Sequence, residues 1–339
     1  MKDPAPDPPP VLRQAELLAA TRTLHEAIRE RVGWLLERAR VSGRPGLAAQ
    51  PGAWGAGDLS YALDDVADDP LAAFGAALGR ERRVTVIAEG SGRSVHGEGP
   101  EATALRVLVD PVDGTRSLMH DMRSAWALTA IAPDRGEATR LSDAQVAVQT
   151  ELPVTSAGVY HVLWAVRGLG AWVARHDVAS GAELERSELR AQTDLPIENG
   201  YLCFTRYLPV ERPLVAELES RFLSTLIAQR SVSERLLYDD QYLCTAGQLY
   251  FVARGRYRML ADLRGWLHRT RGLDNFTAKP YDLASLLIWQ EAGVPVLDED
   301  FAPLDAPFDT ESRLSVIAFA NEDLRRVLQP LLQQVMHRR

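Results

Sequence analysis

The stretch RVLVDPVDGTRSL, residues 106–118, ends an apolar run with two carboxylates, a proline and a glycine. Asp110 closes the run, Pro111 follows it, Asp113 comes three positions after Asp110, and Gly114 permits a tight turn. A turn of this kind can aim two side chains and one backbone carbonyl into the same small volume. Hard divalent cations such as Mg²⁺ take oxygen ligands of this sort. Taken alone, Asp-x-x-Asp-Gly marks a solvated turn more often than a site, because Asp and Gly favour turns in any case. The spacing excludes an EF-hand loop, which needs oxygen ligands at its third and fifth positions, where Val112 and Gly114 stand here.

Further oxygen donors lie along the chain. VIAEG places Glu89 at the end of an apolar run, AGDLSYALDDVAD supplies Asp64, and AKPYDLASLLIWQEAG places Asp282 ahead of a helical pattern. Each has an ordinary reading by itself. Asp282 and Thr115 suit helix caps, Glu89 suits a surface strand end, and Asp64 sits in an acidic run of the kind that faces water. An aspartyl-phosphate phosphatase of the haloacid dehalogenase type is excluded, since its nucleophile position is held by Pro111.

Taken in order, the set resembles the inositol monophosphatase family of metal-dependent, lithium-inhibited phosphatases. The matching patterns are an early Asp, Glu at a strand end, DPVDGT at residues 110–115, and YDLAS followed by EAG at residues 281–293. The resemblance spans residues 50–330 and implies a mixed α/β (α+β) fold, a layered αβαβα sandwich. It implies that Glu89, Asp110, the Val112 carbonyl, Asp113 and Asp282 ligate two or three Mg²⁺ ions, with Asp110 bridging; Mn²⁺ suits the same ligands. It implies that Thr115 and Asp64 orient and deprotonate the attacking water, with Glu89 assisting. Backbone N–H groups of Gly114 and Thr115 would hold phosphate, and Asp262 would meet a substrate hydroxyl. The activity implied is hydrolysis of inositol, sugar or related polyol phosphates, by a homodimer.

The chain also departs from the family pattern. Gly90 follows Glu89 where a second glutamate is common, Tyr281 replaces Trp, Ser285 replaces a small apolar residue, and Val294-Pro295 replaces a second glycine. An insertion at residues 264–279 separates Asp262 from Asp282 and carries Arg264, His268, Arg269, Arg271 and Lys279. It is either a solvated loop or a holder for a second phosphate. The latter opens a 3′(2′),5′-bisphosphate nucleotidase or a fructose-bisphosphatase as the alternative. A non-catalytic member that binds metal or phosphate and acts in regulation is the reading from a different class.

The elements that must position these residues follow from periodicity. Leu17, Leu24, Ile28 and Leu35 recur at helical spacing, RVTVIAEG and RVLVD read as buried strands, and the texture from residue 126 to 176 is β with a hairpin at RGLG. Helices are expected over 211–229, over YDLASLLIWQEAG until Gly293, and from an Asn321 cap onward. GSGRSVHGEG is expected to be a flap beside the metals. Residues 1–10 read as a disordered proline-rich tail, 11–140 as an N-terminal α+β lobe with most metal ligands, and 141–339 as a C-terminal α/β lobe with Asp282 and the insertion.

Composition bounds the rest. With 339 residues, 46% of them hydrophobic, the chain can bury a large core. A formal net charge of -8 argues against nucleic-acid polymers as partners; a small-molecule phosphate ester is the partner that the resemblance implies. No segment approaches the ~18 apolar residues of a membrane span, and the N-terminus lacks the apolar core of a signal peptide. Two cysteines, Cys203 and Cys244, form no disulfide framework, so a cytoplasmic, reducing compartment is expected.

Overall fold

The computed structural model describes residues 10–42, 51–55, 58–61, 63, 65–273 and 276–337. The expected tail, apart from Pro10, lies outside them. α1 (Pro10–Val41) buries Leu17, Leu24, Ile28, Val32, Leu35 and Leu36 along one stripe. β1 (Pro51–Gly55) and β2 (Asp58–Tyr61) form a two-stranded ribbon. After α2 (Asp68–Leu78) come β3 (Val84–Ala88), β4 (Gly92–His96), β5 (Leu105–Asp113), the short α3 (Thr115–Leu118), β6 (Ala125–Pro133), β7 (Val146–Leu152), β8 (Val159–Val166), β9 (Ala171–Asp177) and β10 (Glu183–Leu189).

These strands build an eight-stranded sheet in the order β10-β9-β8-β7-β6-β5-β3-β4. All neighbours are antiparallel except β3 and β5, which run parallel. The stretch expected to be a flap is therefore the edge strand β4, paired with β3 from Val84↔His96 to Ala88↔Gly92. β5 and β6 are buried along nearly their whole length, because both faces of the sheet are covered. Residue 140 falls between β6 and β7, adjacent strands of this sheet.

The second half supplies β11 (Gly200–Phe204), α4 (Arg212–Arg230), β12 (Leu237–Tyr238), α5 (Thr245–Ala253), β13 (Tyr257–Asp262), α6 (Arg264–Arg271), α7 (Leu286–Glu291), β14 (Val296–Leu297), β15 (Val316–Phe319) and α8 (Glu322–His337). Its five-stranded sheet runs β12-β11-β13-β15-β14. One apolar cluster joins α1 and α2 to the near face of the large sheet. A second joins its far face, through α5 and α7, to the small sheet and to α4 and α8 behind it. The layers are thus α, β, α, β, α. Among the described residues no helix is long and apolar enough to cross a membrane.

Two local departures from the sequence pattern shape the site. β5 does not stop at Asp110: pairing with β6 continues from Asp110↔Leu128 to Asp113↔Trp126 with a register shift between them. The extra residue is a β-bulge, which absorbs Pro111 and bends the strand. The second departure is that YDLASLLIWQE is not one helix. A 3₁₀ turn, Tyr281–Leu283, carries Asp282, and α7 begins afresh at Leu286.

Candidate metal centre

The bulge turns the end of β5 toward the carboxylate of Asp282. One ligand oxygen from each of Asp110, Asp113 and Asp282 can be chosen so that all lie within 4.8 Å of one another. Asp110 is fully buried. Its Oδ1 accepts from the Val112 N–H at 3.0 Å, whereas Oδ2 is buried with no hydrogen-bond partner. Burial, then the carboxylates of Glu89, Asp113 and Asp282, push the Asp110 pKa well above the usual range.

Asp113 is held by the start of α5. Its Oδ2 accepts from the Ala246 N–H at 2.6 Å and Oδ1 from the Thr245 N–H at 3.3 Å. The Cys244 thiol donates to the Asp113 carboxylate at 3.3 Å and accepts from the Gly247 N–H at 3.2 Å. Loss of solvent and the charge of Asp282 raise Asp113 to about 7, against these donors, which pull it down. Burial pushes the Cys244 thiol well up, so it sits as a neutral donor and not as a nucleophile. Gly114 has φ +103°, and a Cβ there would stand 2.9 Å from the Cys244 Cβ. Only glycine lets the turn pack this closely.

Asp282 accepts from the Lys279 N–H at 2.7 Å. Desolvation raises it to about 6, tempered by that N–H and by the nearby Arg264 guanidinium. Glu89 follows β3, its N–H bonded to the Val109 carbonyl at 3.1 Å, and its carboxylate is among the charges that raise Asp110. Thr115 opens α3 and donates its hydroxyl to the Val112 carbonyl at 2.8 Å, so the threonine and the expected carbonyl ligand are in direct contact. Asp64 lies outside the described residues.

Asp262 ends β13 and is fully buried. Arg264 grips it as a fork, Nε to Oδ1 at 2.8 Å and Nη2 to Oδ2 at 2.6 Å. Any recognition by Asp262 therefore runs beside this guanidinium. The first half of the insertion is helical: α6 occupies 264–271, and Arg269 on it is paired with Glu299. Sequence reasoning gave Cys244 no place at the site and Arg264 no role at Asp262. The pattern TAGQLY carries a small-residue start for α5, but nothing local links it to Asp113.

The residues present fit a divalent cation. Three carboxylates converge with an unpartnered buried oxygen among them, an arrangement whose mutual repulsion a hard cation relieves. Glu89 is not one of this trio, although its carboxylate lies close enough to raise Asp110.

Comparison with known proteins places this geometry. No family model matches the chain. A fructose-1,6-bisphosphatase/inositol-1-monophosphatase of Methanothermobacter thermautotrophicus is 26% identical over 279 residues, covering 80% of this chain and 83% of that protein. The chain resembles the inositol monophosphatase family in both sequence and fold. A Pyrococcus horikoshii protein with similarities to inositol-1 monophosphatase superposes with TM-score 0.60 at 18% identity, over 93% of this chain and 98% of that one. Leishmania major fructose-1,6-bisphosphatase superposes with TM-score 0.64 at 13% identity, over 94% and 95%. These two structures establish the inositol monophosphatase layering for the chain.

Proposed function

We propose that the chain is a Mg²⁺-dependent phosphomonoesterase acting on inositol, sugar or related polyol phosphates. The observation that carries this reading is the convergence of Asp110, Asp113 and Asp282 within 4.8 Å, with Asp110 Oδ2 buried and unpartnered. These three, Glu89 and the Val112 carbonyl would hold the metal. When bound, divalent ions neutralise the carboxylates, activate water and stabilise a leaving alkoxide.

The chain's own groups do the positioning. The Thr115 hydroxyl donates to the Val112 carbonyl, so the residue proposed to orient the attacking water is in direct contact with a proposed metal ligand. Asp64 remains its proposed partner, with Glu89 assisting. Gly114 and Thr115 remain the proposed holders of the phosphate oxygens. Substrates with one phosphate are favoured over bisphosphates because two cations of the insertion are already committed, Arg264 to Asp262 and Arg269 to Glu299. Both cysteines are free and buried, which suits the cytoplasmic compartment proposed for it. The homodimer is carried from the family resemblance.

The test is phosphate release from a panel of inositol, sugar and nucleotide phosphates with and without Mg²⁺, beside Asp110→Asn, with Li⁺ added to active samples. Release that needs Mg²⁺ and vanishes in the variant supports the reading. A folded chain that binds Mg²⁺ but releases nothing from any phosphate would leave the regulatory reading.

A further inference from the structure

Phe276 is held from two directions. Its carbonyl accepts from Nη1 of Arg264 at 2.9 Å, and its ring lies under the Arg116 guanidinium, 4.9 Å from centroid to Cζ. Arg264 is buried at the start of α6, on the far side of the insertion from Phe276, and its remaining edge grips Asp262. Its guanidinium also lies over the Tyr207 ring at 5.0 Å. Arg116 directly follows Thr115 in α3, three residues beyond the end of β5, the strand that carries Asp110 and Asp113. Downstream of Phe276 the chain is pinned again by the Leu314 N–H to the Ala278 carbonyl at 2.9 Å. Lys279 Nζ then donates to the Glu311 carbonyl at 2.7 Å. The Lys279 N–H finally meets Asp282.

We infer that Arg264 and Arg116 are positioning residues that, by holding the carbonyl and the ring of Phe276, set Asp282 against Asp110 and Asp113 for metal binding. The inference rests on the metal-site reading above. A carboxylate on a 3₁₀ turn at the end of a long excursion has no sheet ladder to fix it. Planar guanidinium forks provide fixed geometry that a lysine cannot. The insertion thus acts as a bracket between the end of β5 and the 3₁₀ turn of Asp282, and its arginine serves the fold of the site instead of a second phosphate.

The test uses the full chain and Mn²⁺ as the probe, with binding followed by electron paramagnetic resonance and needing no turnover. Arg264→Lys keeps the charge and loses the fork; Phe276→Leu keeps the carbonyl and loses the ring. Both variants are expected to bind Mn²⁺ about tenfold more weakly, the usual cost of losing an outer partner of a metal ligand. Their Mg²⁺-dependent activity is expected to recover when Mg²⁺ is raised to saturation, since the deficit is in affinity. Arg269→Gln, on the same helix, is expected to bind Mn²⁺ within about twofold of the parent chain.

Parent-like Mn²⁺ affinity in Phe276→Leu and in folded Arg264→Lys would overturn the inference. So would an equal loss in Arg269→Gln, which would mean that any disturbance of α6 suffices. A parent chain that binds no Mn²⁺ would instead overturn the metal-site reading itself.

Discussion

Asp113 accepts a 2.6 Å hydrogen bond from the backbone N–H of Ala246, a residue 133 positions away. The carboxylate closes the N-terminal end of α5, where unpaired N–H groups and the helix dipole both favour negative charge. Beyond the donors of Cys244, Thr245 and Ala246, its charged neighbours are the carboxylates of Asp110 and Asp282, so the group that anchors α5 is also under repulsion that a bound cation would relieve. Asp113→Asn is therefore expected to do two opposite things. It removes a proposed metal ligand, so Mn²⁺ affinity is expected to fall by at least about tenfold. It also relieves buried charge, so the metal-free protein gains on the order of 1–2 kcal/mol in stability. Calorimetric titration and urea unfolding without metal would check both; a variant that loses stability would show that the anchor outweighs the repulsion.

The raised carboxylates set a pH dependence with a definite sign. Asp113 and Asp282 move from the ordinary 3.8 to about 7 and about 6 in the fold, so the native state holds protons that the unfolded chain has released. Between about pH 4 and 7 this site therefore makes the metal-free protein less stable as pH rises. Mg²⁺ needs the ionised ligands, so its binding strengthens over the same rise and releases protons. Melting scans in chelator and in excess Mg²⁺ should diverge from pH 5 to pH 8. A metal-induced shift in Tm that is equal at both ends would contradict the assignment.

Much of this was legible in the sequence wherever the cause was local. The α8 start shows it: Asn321 caps by accepting from the Leu324 N–H at 2.8 Å, as its place before an apolar 3.6-residue stripe suggests. Gly293, with φ +74°, ends α7 for the reason glycine usually does. What stayed illegible depends on partners distant in the chain or on geometry that a pattern averages away. The β5 run past Pro111 needs a bulge, and no propensity encodes one. Asp262 reads as a free acid until α6 brings Arg264 onto it. The link from Asp113 to α5 joins the large sheet to the helix layer packed on it, so only the packed layers reveal it.

Glu291, from the EAG motif, takes a structural task. Its two oxygens accept from the Gly168 and Gly170 N–H groups at 2.9 and 3.0 Å, clamping the β8–β9 turn onto the end of α7. Both glycines have positive φ, +76° and +77°, which exposes their N–H groups to one acceptor. Glu291→Ala should cost about 1–3 kcal/mol in urea unfolding, the range for hydrogen bonds to a charged acceptor. Phosphatase kcat and Mn²⁺ affinity should stay at parent values. A fall in Mn²⁺ affinity at unchanged stability would place this residue at the site instead.

His25 offers a pH dependence of the opposite sign. It lies fully buried between α1 and the large sheet, Nδ1 against Thr150 Oγ1 at 2.9 Å and Nε2 against Thr129 Oγ1 at 2.8 Å. A neutral ring satisfies both threonines, donating to one and accepting from the other. Burial lowers its pKa from 6.5 to about 3. The unfolded chain therefore takes up a proton below pH 6.5 that the fold refuses, and stability falls as pH drops, by up to about 1.4 kcal/mol per unit. His25→Leu strands two buried hydroxyls and should cost about 2–3 kcal/mol above pH 7. It also deletes the titration, so the gap between parent and variant should narrow steadily toward pH 4.5. The carboxylate site titrates in both proteins and cancels from that gap. A gap constant from pH 7.5 to 4.5 would mean that the ring charges within the fold.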